Sequence, residues 1–204
     1  MVEDRVFKRS YDASVAAGLI TAVYQFADYR TFAKNNVAAL AKLLAGRKPA
    51  FVAIDLEQNE RYWPGLWPSN GAALTAWVSD YITAYRLNGF TCPVVFYTNL
   101  TTIQQMRAAP ASLKMLVLET PLWLAWYDMN EPTPAMFAPW PKYIIRQPRP
   151  SAVGKQYGME SGNLDLDYWN GDLAGLQAFV GQAPAEVSDA EKLSILWAEY
   201  KKTH

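Results

Sequence analysis

The residues best suited to chemistry in this sequence are two acids one residue apart. Asp55 and Glu57 close the apolar run in FVAIDLEQNE, which reads as a β-strand ending in carboxylates. Residues two apart on a strand point to the same face, and two rises separate their Cα atoms by roughly 6–7 Å. Like charges at that spacing raise one pKa, leaving a protonated general acid beside an ionised partner. A plainer use exists: a D-x-E at a strand end can cap the next helix or pair with Arg61. The second acidic element is GNLDLDYWNG at 162–171, where Asp165 and Asp167 alternate with Leu164 and Leu166. One of these aspartates should face inward; a surface hairpin with solvated acids is the alternative.

Flat rings gather around both elements. The chain holds eight Trp and twelve Tyr, more than a core of 204 residues requires. Tyr24, Tyr97, Trp123 and Tyr127 fall at or near predicted strand C-termini, and Tyr62, Trp63 and Trp67 lie in the loop after the D-x-E. Sugar rings present apolar C–H faces, so a saccharide groove combines aromatic platforms with a few convergent polar groups. Rings on helices, such as Trp77 and Tyr81, read as core.

Composition narrows the classes. Nineteen basic and nineteen acidic residues cancel to a net charge of +0, which argues against a nucleic-acid partner. One cysteine, Cys92, makes no internal disulfide, and the one histidine is the last residue, His204. No metal site and no cofactor are therefore expected, since the acids come without His or Cys ligands. No apolar run reaches the ~20 residues that span a bilayer, so no membrane insertion is expected. The opening MVEDRVFKRSYDAS has no apolar core and does not read as a secretory signal.

The elements that must position these groups alternate in type. Helices are expected at 9–17, 31–45, 72–88 and 101–108, and strands at 19–26, 50–56, 93–98, 122–127 and 143–147. Strands separated by such helices signal β/α units and a mostly parallel sheet. Helices thin out after Ala109, so the last third looks β- and loop-rich. Residues 1–182 form the expected domain. The stretch 183–204 reads as a linker and an amphipathic helix, with Ser188 and Glu191 in a capping box and Leu193, Leu196, Trp197 and Tyr200 along one face. That helix packs back on the domain or docks a partner.

In order, TAVYQFA, FVAIDLE, PVVFYTN, PLWLAWY and GNLDLDYWNG resemble the motifs of glycoside hydrolase family 25, the β-1,4-N-acetylmuramidase lysozymes of bacteria and phages. The likeness runs over roughly residues 2–171, and the ordered set is far more specific than any one motif. The resemblance implies an α/β fold, an irregular (β/α) barrel of the TIM type whose C-terminal third is poor in helices. It implies Glu57 as catalytic acid, with Asp55 and Asp165 as its anionic neighbours, and Tyr24, Tyr97, Trp123 and Tyr127 along the groove. The family's first strand, which carries another aspartate, and its second strand have no counterpart here. The chain is thus expected to be truncated relative to the family, with an unpaired parallel edge open to pairing. Asp4, Asp12 and Asp28 are the acids available to replace the absent one, although none sits in its motif. Gln25 stands where the family has histidine, and Arg146 where a Trp-Gln pair is common.

The expected activity is cleavage of peptidoglycan glycan strands between N-acetylmuramic acid and N-acetylglucosamine, at the bacterial wall, as an autolysin or a phage endolysin. Two rivals stand beside it: a glycan-binding descendant that has lost its chemistry, and a hydrolase of another polysaccharide. With a pI near 6.6 there is little pull toward an anionic wall, so stacking on rings must supply the affinity.

Overall fold

The computed structural model describes residues 4–58, 71–109, 117–157 and 162–181. In chain order the elements are α1 (Phe7–Ala16), β1 (Val23–Phe26), α2 (Ala33–Leu44), β2 (Val52–Asp55), α3 (Gly71–Leu87), β3 (Val94–Asn99) and α4 (Leu100–Met106). There follow β4 (Leu122–Ala125), the single turn α5 (Pro134–Phe137), β5 (Tyr143–Val153), β6 (Asn163–Trp169) and α6 (Leu173–Phe179). No described helix is long and apolar enough to cross a membrane.

The strands form one six-stranded sheet in the order β1-β2-β3-β4-β5-β6. Strands β1 to β5 run parallel, as helical crossovers demand, and β6 returns antiparallel to β5. Among the described residues β1 pairs with β2 alone and β6 with β5 alone, and the sheet is a curled half-barrel.

Alternation along β2 divides the sheet into two faces. Val52 and Ile54, with Leu56 beyond the strand, pack outward against Val37, Leu40 and Leu44 of α2 and Leu74, Val78 and Ile82 of α3. Phe51 and Ala53 point the other way, into a smaller inner core with Val95 and Ile145. The first residue of α3 abuts α4: a Cβ on Gly71 would lie 1.8 Å from the Gln105 carbonyl oxygen, so only glycine allows this approach.

Three elements differ from expectation. Only the last four residues of 19–26 form strand, because β2, the one partner among the described residues, begins at Val52. Strand β5 runs on to Val153 through Pro148 and Pro150, where an end near Gln147 was expected. Its pairing with β4 stops at Ala125↔Gln147, and an edge strand tolerates residues without an N–H. Helix α6 was not anticipated. Asp172 starts it by accepting a bond from the Gly175 amide at 2.8 Å, and Phe179 then seats 6.1 Å from Phe51 and 5.4 Å from Trp169 (ring centroids). Those contacts floor the half-barrel below the N-terminal end of β2. The stretch 183–204 lies outside the described residues.

Candidate active site

A row of cross-strand partners crosses the inner face at one level. Asp55 is in register with Tyr97, Tyr97 with Trp123, Trp123 with Ile145, and Ile145 with Trp169. Such neighbours lie within side-chain reach, so register alone brings the acid against the rings. Asp55 is 9% exposed, and its Oδ1 has no hydrogen-bond partner. Burial, and after it the charge of Glu57, pushes its carboxyl from 3.8 up to about 8. The deeper acid of the pair therefore keeps a proton at neutral pH.

Glu57 stands beyond the strand end, half-buried. Burial raises its pKa, the amide of Asn99 opposes that, and the charge of Asp165 adds to it. Asn99 is aimed by the fold. As N-cap of α4 its Oδ1 accepts from the Thr102 amide at 3.1 Å, which turns Nδ2 to donate to Glu57 Oε1 at 3.1 Å. The buried Thr98 hydroxyl donates to the Leu56 carbonyl at 2.7 Å and ties the two strand ends together.

The third acid comes from the far edge. Asp165 is exposed, yet its charge helps raise the pKa of Glu57, Tyr24, Tyr127 and Asp167, so it faces the same mouth. Asp167 shares that face, since residues two apart on a strand must, and the expectation that one of the two turns inward is corrected to both. Its Oδ1 accepts from Trp123 Nε1 at 2.9 Å. Burial pushes the Asp167 carboxyl up to about 6, against the pull of that bond and with the charge of Asp165.

The rings complete the mouth. Tyr97 donates to Gln147 Oε1 at 2.6 Å, and its oxygen lies 3.5 Å from that of Tyr127. Trp123 meets Tyr97 edge-on, with centroids 5.3 Å apart and planes at 85°. Burial first, then contact with Tyr127 and the charges of Glu57 and Asp55, drives the Tyr97 phenol well up. Tyr24 and Tyr127, 70% and 55% exposed, flank the opening as bare surface. Tyr62, Trp63, Trp67 and Arg61 lie outside the described residues.

Other sequence candidates are placed elsewhere. Gln25 faces the helices, where it accepts from the Tyr81 hydroxyl at 2.5 Å and donates to the Asn36 carbonyl at 2.9 Å. Arg146 faces outward, toward Asn130 and Glu131. Asp12 and Asp28 are held by Arg47 and Arg30, whose hydrogen bonds lower their pKa. Of the three replacement candidates, Asp4 alone contributes charge felt by Tyr24, whose pKa burial first and then the charges of Asp55, Asp4 and Asp165 raise. Sequence reasoning passed over Asn99 and Gln147. The signal for Asn99 was its place between strand and helix in FYTNLTT; Gln147 is found only through register. Among the described residues no three His, Cys, Asp or Glu side chains are grouped to hold a metal ion.

The sequence profile described as glycosyl hydrolases family 25 matches residues 1–147. Among solved structures, a family 25 glycosyl hydrolase from Bacillus anthracis superposes with a TM-score of 0.66 at 12% identity, over 90% of this chain and 77% of that one. The modular autolysin LytC from Streptococcus pneumoniae gives 0.60 at 19% identity, and its complex with a synthetic peptidoglycan ligand 0.59 at 17%. In both, the match spans 82% of this chain but 38% of the autolysin. No curated protein matches the sequence. Identities this low speak for the fold alone, whereas the profile covers well over half of the sequence: the chain belongs to glycosyl hydrolase family 25.

Proposed function

We propose that the chain is a glycosidase of the bacterial cell wall that hydrolyses the β-1,4 bond between N-acetylmuramic acid and N-acetylglucosamine in peptidoglycan. The observation that carries this is the convergence of Asp55, Glu57 and Asp165 at one mouth rimmed by Tyr24 and Tyr127. Family membership supports the same chemistry, as does the likeness to a family 25 glycosyl hydrolase and to an autolysin solved with a synthetic peptidoglycan ligand.

Glu57 gives its proton to the glycosidic oxygen as the C–O bond breaks, and Asp165 offers negative charge to the oxocarbenium-like centre that develops. Asp55, still protonated below about pH 8, donates a hydrogen bond to the substrate. Water then adds to the anomeric carbon and returns a proton to Glu57. Tyr24, Tyr127 and Trp123 hold the apolar faces of the sugars.

The test is release of reducing ends from purified cell walls. Glu57→Gln should cut turnover by about 10²–10⁴, the usual worth of a general acid, while wall binding persists. A folded parent chain that releases nothing while still sedimenting with walls would mean a glycan-binding protein instead. Cleavage of glycans lacking N-acetylated amino sugars would move the substrate to another polysaccharide.

A further inference from the structure

The outer face of the β5–β6 ladder, opposite the acids, carries a cavity of about 240 Å³. Alternation puts it there. Ile145, Gln147, Asp167 and Trp169 face inward, so Arg146 and Tyr168, which are in register with each other, face out. Met129, Glu131, Tyr143 and Arg149 are among the other residues that line it.

Its charges do not cancel. The Arg146 side chain, 11% exposed, donates to the Asn130 carbonyl at 3.0 Å and pairs with Glu131 at 3.2 Å. The Tyr143 hydroxyl donates to the other Glu131 oxygen at 2.5 Å. Arg149 has no carboxylate partner among the described residues; its Nη2 lies 3.6 Å from the Met129 sulfur. Two guanidinium groups thus share one carboxylate, and the surplus charge lines the same cavity as Tyr168, which is 56% exposed. Asn170 commits its amide nitrogen to the Tyr143 carbonyl at 3.0 Å, which leaves its side-chain oxygen for a hydroxyl.

We propose that this cavity is a second, non-catalytic binding site for a sugar carrying an oxyanion. The planar fork of Arg149 takes the carboxylate or phosphate, and Tyr168 stacks on the apolar face of the ring. The volume falls below the ~300 Å³ at which pockets for larger ligands begin, which fits one ring and not an extended strand. The site rests on the reading of the protein as a wall glycosidase, and it anchors the chain to one strand while the inner mouth works on another. Arg149 and Tyr168 touch none of the acids, so binding and cleavage are separable.

The experiment uses the full chain with Arg149→Gln, Arg149→Glu and Tyr168→Ala. Co-sedimentation with insoluble cell walls is measured beside reducing-end release from short soluble glycan fragments. Arg149→Gln should lower wall retention about tenfold, the scale of one charge-assisted hydrogen bond, with turnover of the fragments unchanged. Arg149→Glu should lower it further, and Tyr168→Ala should lower it at equal charge. Walls stripped of phosphate polymers by hydrofluoric acid identify the source of the anion: retention kept on them assigns a carboxylate, and retention lost assigns a phosphate. Variants that hold the wall as firmly as the parent overturn the site. A chain that cuts soluble fragments while its retention ignores Arg149 loses this site alone, and one that cuts nothing yet binds through Arg149 loses only the hydrolase reading.

Discussion

Two strands of the same sheet, β2 and β6, sit in opposite surroundings. All four residues of β2 are buried, because α2 and α3 cover one face and the inner core covers the other. Strand β6 has only exposed and half-buried residues, and its outer face opens to the cavity beside Tyr168. The acids follow the cover. Asp55 on β2 is pushed to about 8, whereas Asp167 on β6, with less burial and an indole N–H to accept, reaches about 6. One sheet thus supplies carboxyls of graded proton affinity simply by how many layers cover each strand.

The contrast is first broken, or upheld, by truncation in the two strands. Ile54→Ala in β2 should cost about 2–5 kcal/mol of stability, the range for a fully buried aliphatic residue. Leu166→Ala on the outer face of β6 should cost roughly a quarter of that, since the residue is already half open to water. Denaturant titration of both variants checks it. Equal losses would mean that β6 is covered in solution by something beyond the described residues.

Asp55→Asn comes next and carries a sign. A carboxyl whose folded pKa is raised costs stability once the unfolded chain has shed its proton. Stability therefore falls as pH climbs from about 3.8 toward about 8, and it levels off above that. The amide cannot ionise, so the variant should melt higher than the parent at neutral pH, by on the order of 2–4 kcal/mol, with the gap closing toward pH 4. Activity should fall at the same time if the proposed hydrogen bond from Asp55 to substrate is made. A variant destabilised at neutral pH would show that Asp55 is ionised and paired in the folded protein.

The difference between the strands also explains what the sequence made legible. A strand covered on both faces is a continuous apolar run, and a charged residue ending such a run stands out; that is why AFVAIDLE announced both β2 and its two acids. Helix α3 was equally plain, because seventeen residues leave room for a full apolar stripe. The later region was read less well, for physical reasons. The prolines in β5 argue against a strand until its partner on one side is known to stop at Ala125. Asp165 and Asp167 alternate cleanly, but alternation does not say which face meets the mouth. Gln147 and Asp167 contribute through contacts with residues 50 and 44 positions away, which no local pattern encodes. Asn99 was within reach, since an Asn between a strand and a helix is a cap, and a cap fixes where its amide points.

That reasoning makes Asn99→Ala informative. It removes the cap of α4, worth about 0.5–2 kcal/mol, together with the bond that holds the Glu57 pKa down. The alkaline limb of the activity profile should move upward, since Glu57 then keeps its proton to higher pH. Asn99→Asp preserves the cap and replaces the donor with a second charge, so it should move the limb further. If the limb stays put in both variants, the acid that titrates there is not Glu57.

The smallest expected effect concerns Asp167, the acid that the open strand leaves half committed. Its bond to Trp123 fixes an indole that meets Tyr97 edge-on, and through Tyr97 it touches the level of Asp55. Asp167→Ala strands the indole N–H and should raise KM roughly fivefold at little cost in kcat, the scale of ~1 kcal/mol for one lost hydrogen bond. Asp167→Asn keeps an oxygen acceptor at nearly the same place, so its KM should stay near that of the parent. It also removes the carboxyl that titrates at about 6, and any inflection in KM there should vanish. Measuring KM and kcat across that pH separates the two roles. If Asp167→Asn behaves like Asp167→Ala, the charge and not the bond positions the substrate, and β6 then contributes to the mouth through its field, as Asp165 does, and not through the packing that governs β2.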